Sequence, residues 1–375
     1  MPRVKPNQTK DGFSDLEARI ITAIGSAGPR NIAQISRMTG THQETIRYKI
    51  KKRFARLGFK FHAEVDFDKL GLGLHWGTLY FTNAFYDSAP QVLRVLNRVG
   101  YLTYYAKVLP QGSYIGLFAL PQGTPDQYKV LLSDLISEGV LSGFTFDEVL
   151  ASKHKAMNPQ FFDFRSGRWE IDWARVPDQI STPLQIGKRA QAVNFDLYDL
   201  LIIKELQRDS LQHLTGIAKK LKVHQKTLEY HYRTHVQKCK MIPSYRVSWA
   251  QDTSNRPARS TVTTRLTFHD LSKQRLSEVQ GSISRVPFLW AEDLLQSGTY
   301  VATLHVPVTE LLGVSSYINE SVRGLDSKVD VGFIKSADTS SFTVPYGQYG
   351  KGGWRFDIQE MKSALRIEAT ALLQK

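Results

Sequence analysis

The sequence contains almost no cysteine and no long hydrophobic segment. Cys239 is its single cysteine, which excludes an intramolecular disulfide framework and a zinc site built from several cysteines. No apolar run reaches the roughly 18 residues that a membrane-spanning helix requires. The polar, basic residues 1–12 lack the apolar segment of a signal peptide. These absences predict a cytoplasmic protein that does not associate with membranes.

Motifs of common catalytic sites are missing as well. The sequence has no glycine-rich phosphate-binding loop, no nucleophile elbow and no paired metal-binding motif. His231 and His235 stand four residues apart, a spacing that can hold zinc, but no further ligand cluster accompanies them in the sequence. We therefore predict a protein that is not an enzyme, with no cofactor and no metal.

Positive charge is what the sequence has in excess. Its 49 lysines and arginines outnumber its 35 aspartates and glutamates, which gives a formal net charge of +14 at pH 7. Such a balance favours a polyanionic partner, and nucleic acid before a membrane surface. The length of 375 residues accommodates roughly two to four domains.

A short basic helix is predicted twice along the chain. Its first copy has an apolar stripe of Ile46, Ile50 and Phe54, which recur every four residues. The second copy begins at His224, which follows His42 by 182 residues, and it repeats the pattern. Its stripe consists of Leu228, Tyr232 and Val236. A helix with one buried stripe and a basic, aromatic outer face suits the major groove of DNA, and an ordinary solvated surface helix is the alternative.

The duplication extends over the rest of the chain. Each basic helix is the third of a predicted helix-turn-helix, whose first helix starts near Ser14 in one copy and near Asp196 in the other. Elements in the order β-α-β-β-α-β follow in both copies, which is the order of a ferredoxin-like domain. An aromatic hairpin, marked by Trp169 and Trp354, comes next. We therefore predict an α+β fold, a tandem duplication of a winged helix-turn-helix and a ferredoxin-like βαββαβ domain.

The duplication also predicts where the domains begin and end. The expected segments are a first winged helix-turn-helix at 12–66, a first ferredoxin-like domain at 67–154, an aromatic hairpin and linker at 155–193, a second winged helix-turn-helix at 194–250, a second ferredoxin-like domain at 258–336, and a hairpin with a C-terminal helix at 337–375. Because both copies lie in one chain, we expect their sheets to pack together as an intrachain pseudo-dimer at no cost in association entropy. Exposed sheet edges and helices leave room for further homo-oligomerisation.

The third helix of each copy is expected to enter a major groove of double-stranded DNA. Gln43 and Gln225 suit adenine, and Arg47 suits guanine, because these side chains form bidentate hydrogen bonds with those bases. Threonine and tyrosine side chains are expected to contact phosphate or sugar, and the basic side chains to hold the backbone. His42 and His224 are helix N-caps, contacts or neither. The predicted DNA-contacting residues are His42, Gln43, Thr45, Arg47, Tyr48, Lys51, Lys52, His224, Gln225, Lys226, Thr227, Tyr230 and Arg233.

The two predicted recognition helices differ in charge. Glu44 and Arg47 correspond to Lys226 and Glu229, so the charges are exchanged at equivalent points. A fused pair can therefore recognise two unlike half-sites, whereas ion pairs within each helix are the alternative explanation. Residues 42–60 contain seven Lys/Arg and one Glu, against four and one at 224–242. We expect the first head to supply more of the affinity.

Several motifs resemble those of the Lrp/AsnC (feast/famine) transcription regulators of bacteria and archaea. They are Phe195-Asp196-Leu197-Tyr198-Asp199, Leu206-Gln207-Arg208-Asp209, Ile217-Ala218-Lys219-Lys220-Leu221 and Thr227-Leu228, together with Val65-Asp66-Phe67-Asp68-Lys69-Leu70-Gly71, which is similar to the family's link between its two domains. The resemblance covers residues 14–150 and 194–335. It implies a sequence-specific DNA-binding transcriptional regulator whose two recognition helices contact two half-sites.

The resemblance also implies a small-molecule effector, because family members often bind an amino acid between their ferredoxin-like domains. The family's hairpin commonly carries an aspartate soon after its glycine. The equivalent segments here, Gly112-Ser113-Tyr114 and Gly298-Thr299-Tyr300, lack that aspartate. The effector is therefore unknown.

An enzyme is the alternative function. The same two-domain build is similar to that of the sirohaem-type decarboxylases of the haem pathway, paired units that use histidine and arginine in their cleft. His75 and His305 lie near ferredoxin-like strands, but the two copies share no histidine at matching positions there. A pure interaction scaffold is a third possibility, which the two basic helices disfavour.

Overall fold

The computed structural model describes residues 13–155, 161–163, 166, 168–176, 184–249, 261–323 and 328–373. Parts of the predicted linker at 155–193 and of the second unit lie outside these ranges. Among the described helices, none is long and apolar enough to cross a bilayer. The elements follow one order twice, which gives the predicted α+β fold.

The first copy contains three helices, a strand, a βαββαβ unit and a short hairpin. Its elements are α1 (Asp15–Ala27), α2 (Ile32–Thr39), α3 (Gln43–Tyr48), β1 (Phe59–Glu64), β2 (Leu72–Phe81), α4 (Ala89–Val99), β3 (Leu102–Leu109), β4 (Tyr114–Pro121), α5 (Pro125–Ser137), β5 (Leu141–His154), β6 (Phe162–Asp163) and β7 (Arg168–Trp169). We call residues 13–64 the first head.

The second copy repeats this order and adds a C-terminal helix. Its elements are α6 (Leu197–Arg208), α7 (Leu214–Leu221), α8 (Gln225–Tyr230), β8 (Ser244–Trp249), β9 (Thr261–Phe268), α9 (Lys273–Ser284), β10 (Leu289–Leu295), β11 (Tyr300–Pro307), α10 (Leu311–Ser321), β12 (Val329–Ser341), β13 (Tyr349–Gly350), β14 (Gly353–Trp354) and α11 (Ile358–Leu373). We call residues 195–249 the second head.

Each predicted recognition helix is a short α-helix that continues as π-helical turns. These turns cover Lys49–Phe54 after α3 and His231–Gln237 after α8. A hydrophobic repeat of four residues is longer than the α-helical turn of about 3.6. The wider i→i+5 turns therefore keep the stripe facing the core. The sequence predicted one continuous helix, and the structure differs in the hydrogen bonding of its second half.

The two ferredoxin-like sheets close into one eight-stranded barrel. The strand order is β10-β11-β9-β12-β3-β4-β2-β5, and β5 pairs with β10 to complete the ring. Sheet edges are reactive because their backbone groups lack partners. Here each copy covers the edges of the other. Inside the barrel the faces also meet, since Trp76 Nε1 donates to Asp293 Oδ2 at 3.1 Å and the Arg265 guanidinium lies 4.2 Å from the Trp76 ring.

The two heads pack against each other through a shared two-stranded sheet. Strands β1 and β8 pair in antiparallel fashion, with Phe61 opposite Val247. Arg30, at the start of α2, reaches the other head. Its guanidinium donates to the Tyr232 hydroxyl at 2.6 Å and lies 4.7 Å from the centre of that ring. The heads therefore form one unit above the barrel.

Each copy packs its aromatic hairpin against the other copy. Trp169, in the β6-β7 hairpin, lies 4.8 Å from the Phe288 ring and belongs to the core of the second sheet. Trp354, in the β13-β14 hairpin, donates to the carbonyl of Leu70 at 2.6 Å. Helix α11 then packs on α4 of the first copy. The copies thus exchange their C-terminal segments.

Candidate functional site

The predicted DNA-contacting side chains all lie on the solvent-facing side of the two recognition helices. Their stripes face inward, with Ile46 and Leu228 almost completely buried. Tyr48 is 64% exposed and Tyr230 57% exposed, which is unusual for large aromatic side chains. The exposed residues are His42, Gln43, Thr45, Arg47, Tyr48, Lys51, Lys52, His224, Gln225, Lys226, Thr227, Tyr230 and Arg233.

Local contacts account for some of these residues. His42 and His224 are the N-caps of α3 and α8, and their Nδ1 atoms accept from backbone N–H groups at 3.4 and 3.3 Å. Arg47 is paired with Glu44 within its own helix. In the second head Glu229 accepts from Gln225 at 2.7 Å. Exposed pairs of this kind contribute little to stability, so they leave these side chains available to a partner.

A second group of candidate side chains lies at one end of the barrel, where it meets the β1-β8 sheet. Trp290 is the second residue of β10 and stacks on His305 of β11, with 4.5 Å between ring centroids. The Arg246 guanidinium of β8 lies 5.1 Å from the Trp290 ring. His154 ends β5, and its Nδ1 lies 3.0 Å from Oε1 of Glu64. We call Glu64, His154, Arg246, Trp290 and His305 the mouth cluster.

Within the mouth cluster, Glu64 and Arg246 are charged at neutral pH and His305 is neutral. Burial raises the pKa of Glu64, but hydrogen bonds from His154 and Ser244 outweigh it and hold the pKa below its usual value. Burial, helped by the positive charge of Arg246, lowers the pKa of His305 to about 4, so this imidazole is neutral at pH 7. Arginine stays protonated in proteins. The buried Nε of Arg246 has no hydrogen-bond partner among the described residues.

Sequence reasoning found only one member of the mouth cluster. His305 and His75 are the two histidines that the sequence places near ferredoxin-like strands, where the alternative enzyme would use them. The structure separates these two histidines. His75, on β2, stacks on Phe146 of β5 with 5.2 Å between ring centroids, whereas His305 lies on β11. The other members come from strands distant in the sequence, and no local motif joins them.

His75 borders a cavity of about 390 Å³ between the first sheet and the segment before the second head. Burial lowers the pKa of His75 to about 4, and its Nδ1 is 3.2 Å from the carbonyl of Gly73. Arg189 and Glu148, the charged residues of the lining, pair with each other. The cavity therefore offers a ligand less free charge than the mouth cluster does.

Each head also buries a carboxylate beside its recognition helix. In the first head Glu17 Oε1 lies 3.0 Å from Lys49 Nζ and 3.2 Å from Arg53 Nε. Burial raises the pKa of Glu17. A hydrogen bond from the Ser14 backbone and the two cations have the larger, opposite effect, so the pKa lies below its usual value. The carboxylate is therefore a stable anion at neutral pH.

The equivalent carboxylate of the second head is Asp199, which is completely buried. Its Oδ1 lies 3.1 Å from His231 Nδ1, and its Oδ2 lies 2.8 Å from His235 Nδ1. The donor atoms of these residues lie within 4.8 Å of one another, close enough to share a metal ion. Sequence reasoning noted the histidine pair but missed Asp199, although the offset of 182 relates it to Glu17.

Comparisons with known proteins identify the fold. The sequence matches no protein-family model and no curated protein. Among solved structures, the siroheme decarboxylase NirDL is 9% identical, with a TM-score of 0.54, and the match covers 96% of this chain and 99% of NirDL. Its co-complex with an iron-uroporphyrin III analogue gives the same identity and TM-score. At this identity the match shows a shared fold, in which both copies of the α+β unit are present.

Lrp/AsnC regulators match over part of the chain. LrpC of B. subtilis is 16% identical with a TM-score of 0.29, over 38% of this chain and 96% of LrpC. An AsnC-family regulator of Pyrococcus furiosus is 12% identical with a TM-score of 0.30, over 41% of this chain and 97% of its own. Scores this low carry no argument about function. The predicted resemblance to this family is thus confirmed only for part of the chain.

The prediction that the chain is not an enzyme is contradicted. A protein that shares its fold from end to end is a decarboxylase. The error has a physical cause. Helical and strand patterns specify a fold, whereas function depends on side chains that the fold brings together, so a pattern shared with regulators did not exclude catalysis.

Proposed function

We propose that this protein is an enzyme that decarboxylates a tetrapyrrole with carboxylate side chains, and that the mouth cluster binds and acts on this substrate. The observation that carries the proposal is a partly buried arginine beside a stacked tryptophan and histidine, in a fold that matches a siroheme decarboxylase over its whole length. The net charge of +14 favours a substrate with several negative charges.

The mouth cluster suits the two chemical features of such a substrate. A tetrapyrrole is flat and conjugated, and the stacked Trp290–His305 pair offers it an aromatic surface. Its side chains are carboxylates, and a guanidinium forms strong, charge-assisted hydrogen bonds with a carboxylate. The Nε of Arg246 has no hydrogen-bond partner among the described residues, so it can donate to a carboxylate of the substrate.

The reaction requires one proton for each carboxyl group removed. The bond from the side-chain carbon to the carboxyl carbon breaks, carbon dioxide leaves, and the electron pair stays on the side-chain carbon. That carbon then takes a proton. We assign this transfer to His154, because Glu64 fixes its ring through Nδ1 and leaves Nε2 to exchange a proton. His305, which is neutral at pH 7, serves in binding.

The test is a titration of the purified chain with sirohaem and with iron-uroporphyrin III, followed by absorbance, and mass analysis of the products. We expect the wild type to change the tetrapyrrole spectrum and to yield products that have lost carbon dioxide. Arg246→Ala should weaken binding at least tenfold, and His154→Ala should slow product formation with little change in binding. Arg275→Ala, a half-exposed arginine of α9, is the matched control.

Two outcomes would contradict the proposal. One is the absence of any spectral change with either tetrapyrrole. The other is binding and turnover that are equal in the wild type, Arg246→Ala and His154→Ala, because the substrate would then bind elsewhere.

Binding of double-stranded DNA is a second candidate function. It is supported by the basic and aromatic outer faces of both recognition helices, on which all predicted contacts are exposed. Selection from random duplex DNA, followed by titration at several salt concentrations, tests it. We expect an enriched motif that Arg47→Ala and Tyr230→Ala relax, with a salt dependence that reflects the phosphate contacts. Weak binding without a motif, unchanged in both variants, would exclude this function.

A further inference from the structure

We propose that Asp199, His231 and His235 form a binding site for a divalent transition-metal cation, with zinc the best fit. The site ties α6 to the π-helical turns after α8 in the second head. It is independent of the mouth cluster and of the proposed reaction. Two imidazoles and one carboxylate are a usual protein ligand set for zinc.

The positions of the ligand atoms suit a tetrahedral ion. Zinc bonds to nitrogen and oxygen are about 2.0–2.2 Å long, so two ligand atoms on one tetrahedral ion lie about 3.3–3.5 Å apart. The two imidazole Nδ1 atoms lie 3.1 and 2.8 Å from the carboxylate oxygens of Asp199. The two distances run to different oxygens of the carboxylate, and the ligand atoms of all three residues lie within 4.8 Å of one another. Rotation of the side chains toward one point therefore converts the hydrogen-bonded trio into a ligand set.

A fourth position is available beside the trio. Asp196, the N-cap of α6, places its Oδ1 3.5 Å from His231 Nδ1. The same oxygen accepts hydrogen bonds from the backbone of Tyr198 and Asp199, which fix its direction. Asp196 or a water molecule can complete four-coordination, since zinc accepts both.

The second head lacks the two permanent cations that neutralise the buried carboxylate of the first head. In the first head Glu17 is surrounded by two permanent cations, Lys49 and Arg53, and its helix is capped by the neutral Ser14. In the second head the equivalent cap is Asp196, and both cations are replaced by histidines. Two carboxylates thus share the space without a permanent cation from these positions. A divalent cation supplies the missing positive charge.

The first head provides a variant that should fold without the metal. The triple change Asp199→Glu, His231→Lys and His235→Arg installs the trio of the first head in the second. We would strip the full-length protein with a chelator and titrate Zn²⁺ against a chromogenic competitor. Co²⁺ would serve as the spectroscopic probe, because its visible spectrum reports four-coordination. His213→Ala, an exposed histidine of the same head, is the matched control.

We expect one Zn²⁺ to bind per wild-type chain and per His213→Ala chain, with release of protons and a higher melting temperature. The triple variant should retain its circular dichroism spectrum, lose the four-coordinate Co²⁺ spectrum, and bind Zn²⁺ at least a hundredfold more weakly. His235→Ala alone should weaken binding at least tenfold. Equal binding by the wild type and the triple variant, or no binding by the wild type, would overturn the proposal and leave a histidine–aspartate hydrogen-bond network.

Discussion

The two heads have the same helices and the same buried carboxylate, but they surround it with different partners. Glu17 is held by a lysine and an arginine, whose charges are permanent at any physiological pH. Asp199 contacts two histidines instead. A histidine is positively charged only when it is protonated, and a histidine that binds a metal is neutral. The difference shows that the same fold accommodates a buried carboxylate with permanently charged partners in one copy and with histidine partners in the other.

Removal of each carboxylate should give the largest difference in stability between the two heads. Glu17→Ala leaves Lys49 and Arg53 without their shared carboxylate, and we expect a loss of about 3–5 kcal/mol in the free energy of unfolding. Asp199→Ala leaves two imidazoles that can stay neutral, so the loss should be about 1–3 kcal/mol. Urea unfolding measures both, with the exposed Glu278→Ala as control. Equal losses would show that the partners do not matter.

A graft in the opposite direction would sharpen the comparison. The changes Glu17→Asp, Lys49→His and Arg53→His place the trio of the second head in the first. If the histidine trio is a metal site, this variant should bind a second equivalent of Zn²⁺. At a free zinc concentration 100 times the dissociation constant, each site should stabilise the protein by about 2.7 kcal/mol. Isothermal titration calorimetry counts the sites, and a stoichiometry that stays at one would show that the shorter carboxylate cannot reach both histidines there.

Acid should reduce the stabilisation that Glu17 gives the first head. The pKa of Glu17 in the folded protein lies below its ordinary value of 4.5, so the unfolded chain binds more protons as the pH falls through that range. The stabilisation by Glu17 is therefore complete above about pH 4.5 and decreases below it. The difference in unfolding free energy between the wild type and Glu17→Gln should be constant at higher pH and shrink in acid.

Other groups titrate in the same range but cancel in that difference. Glu64 and the two histidines with a pKa of about 4, His75 and His305, are present in both proteins. A difference that stays constant down to pH 3 would show that the cations do not lower the pKa of Glu17.

The smallest effect should be the same in the two heads. His42→Ala and His224→Ala each remove an N-cap, and each should cost about 0.5–1 kcal/mol in unfolding free energy. The cap geometries are alike, with Nδ1 accepting from the backbone at 3.4 and 3.3 Å. Thermal unfolding measures both variants. A clear inequality would mean that one of these histidines has another role.

Periodic patterns made the fold predictable. The stripe of Ile46, Ile50 and Phe54 and its repeat in the second copy predicted the third helix of each head, and the glycine turns marked both hairpins. Gly112 and Gly298 do adopt positive φ angles, +72° and +85°. The segment 337–375, for which a hairpin and a C-terminal helix are predicted, does contain a helix at Ile358–Leu373. These features are local, so they are visible in the sequence.

The sites were less predictable because they depend on contacts between distant strands and helices. Arg246 meets Trp290, and Trp76 meets Asp293, only because the barrel closes and the heads pack upon it. Asp199 meets His231 across 32 residues. Comparison of the two copies at the offset of 182 would have related Asp199 to Glu17, but not the histidines to the carboxylate.

The exchange of aromatic hairpins has a consequence for how such a gene can evolve. In a homodimer every mutation appears in both subunits, whereas here a mutation changes one copy. The histidine trio could therefore arise in the second copy alone, and the mouth cluster could combine different residues from the two copies. The same exchange makes the duplication difficult to lose. Deletion of either copy would uncover the core that Trp169 or Trp354 now protects, and would expose the sheet edges of the copy that remains.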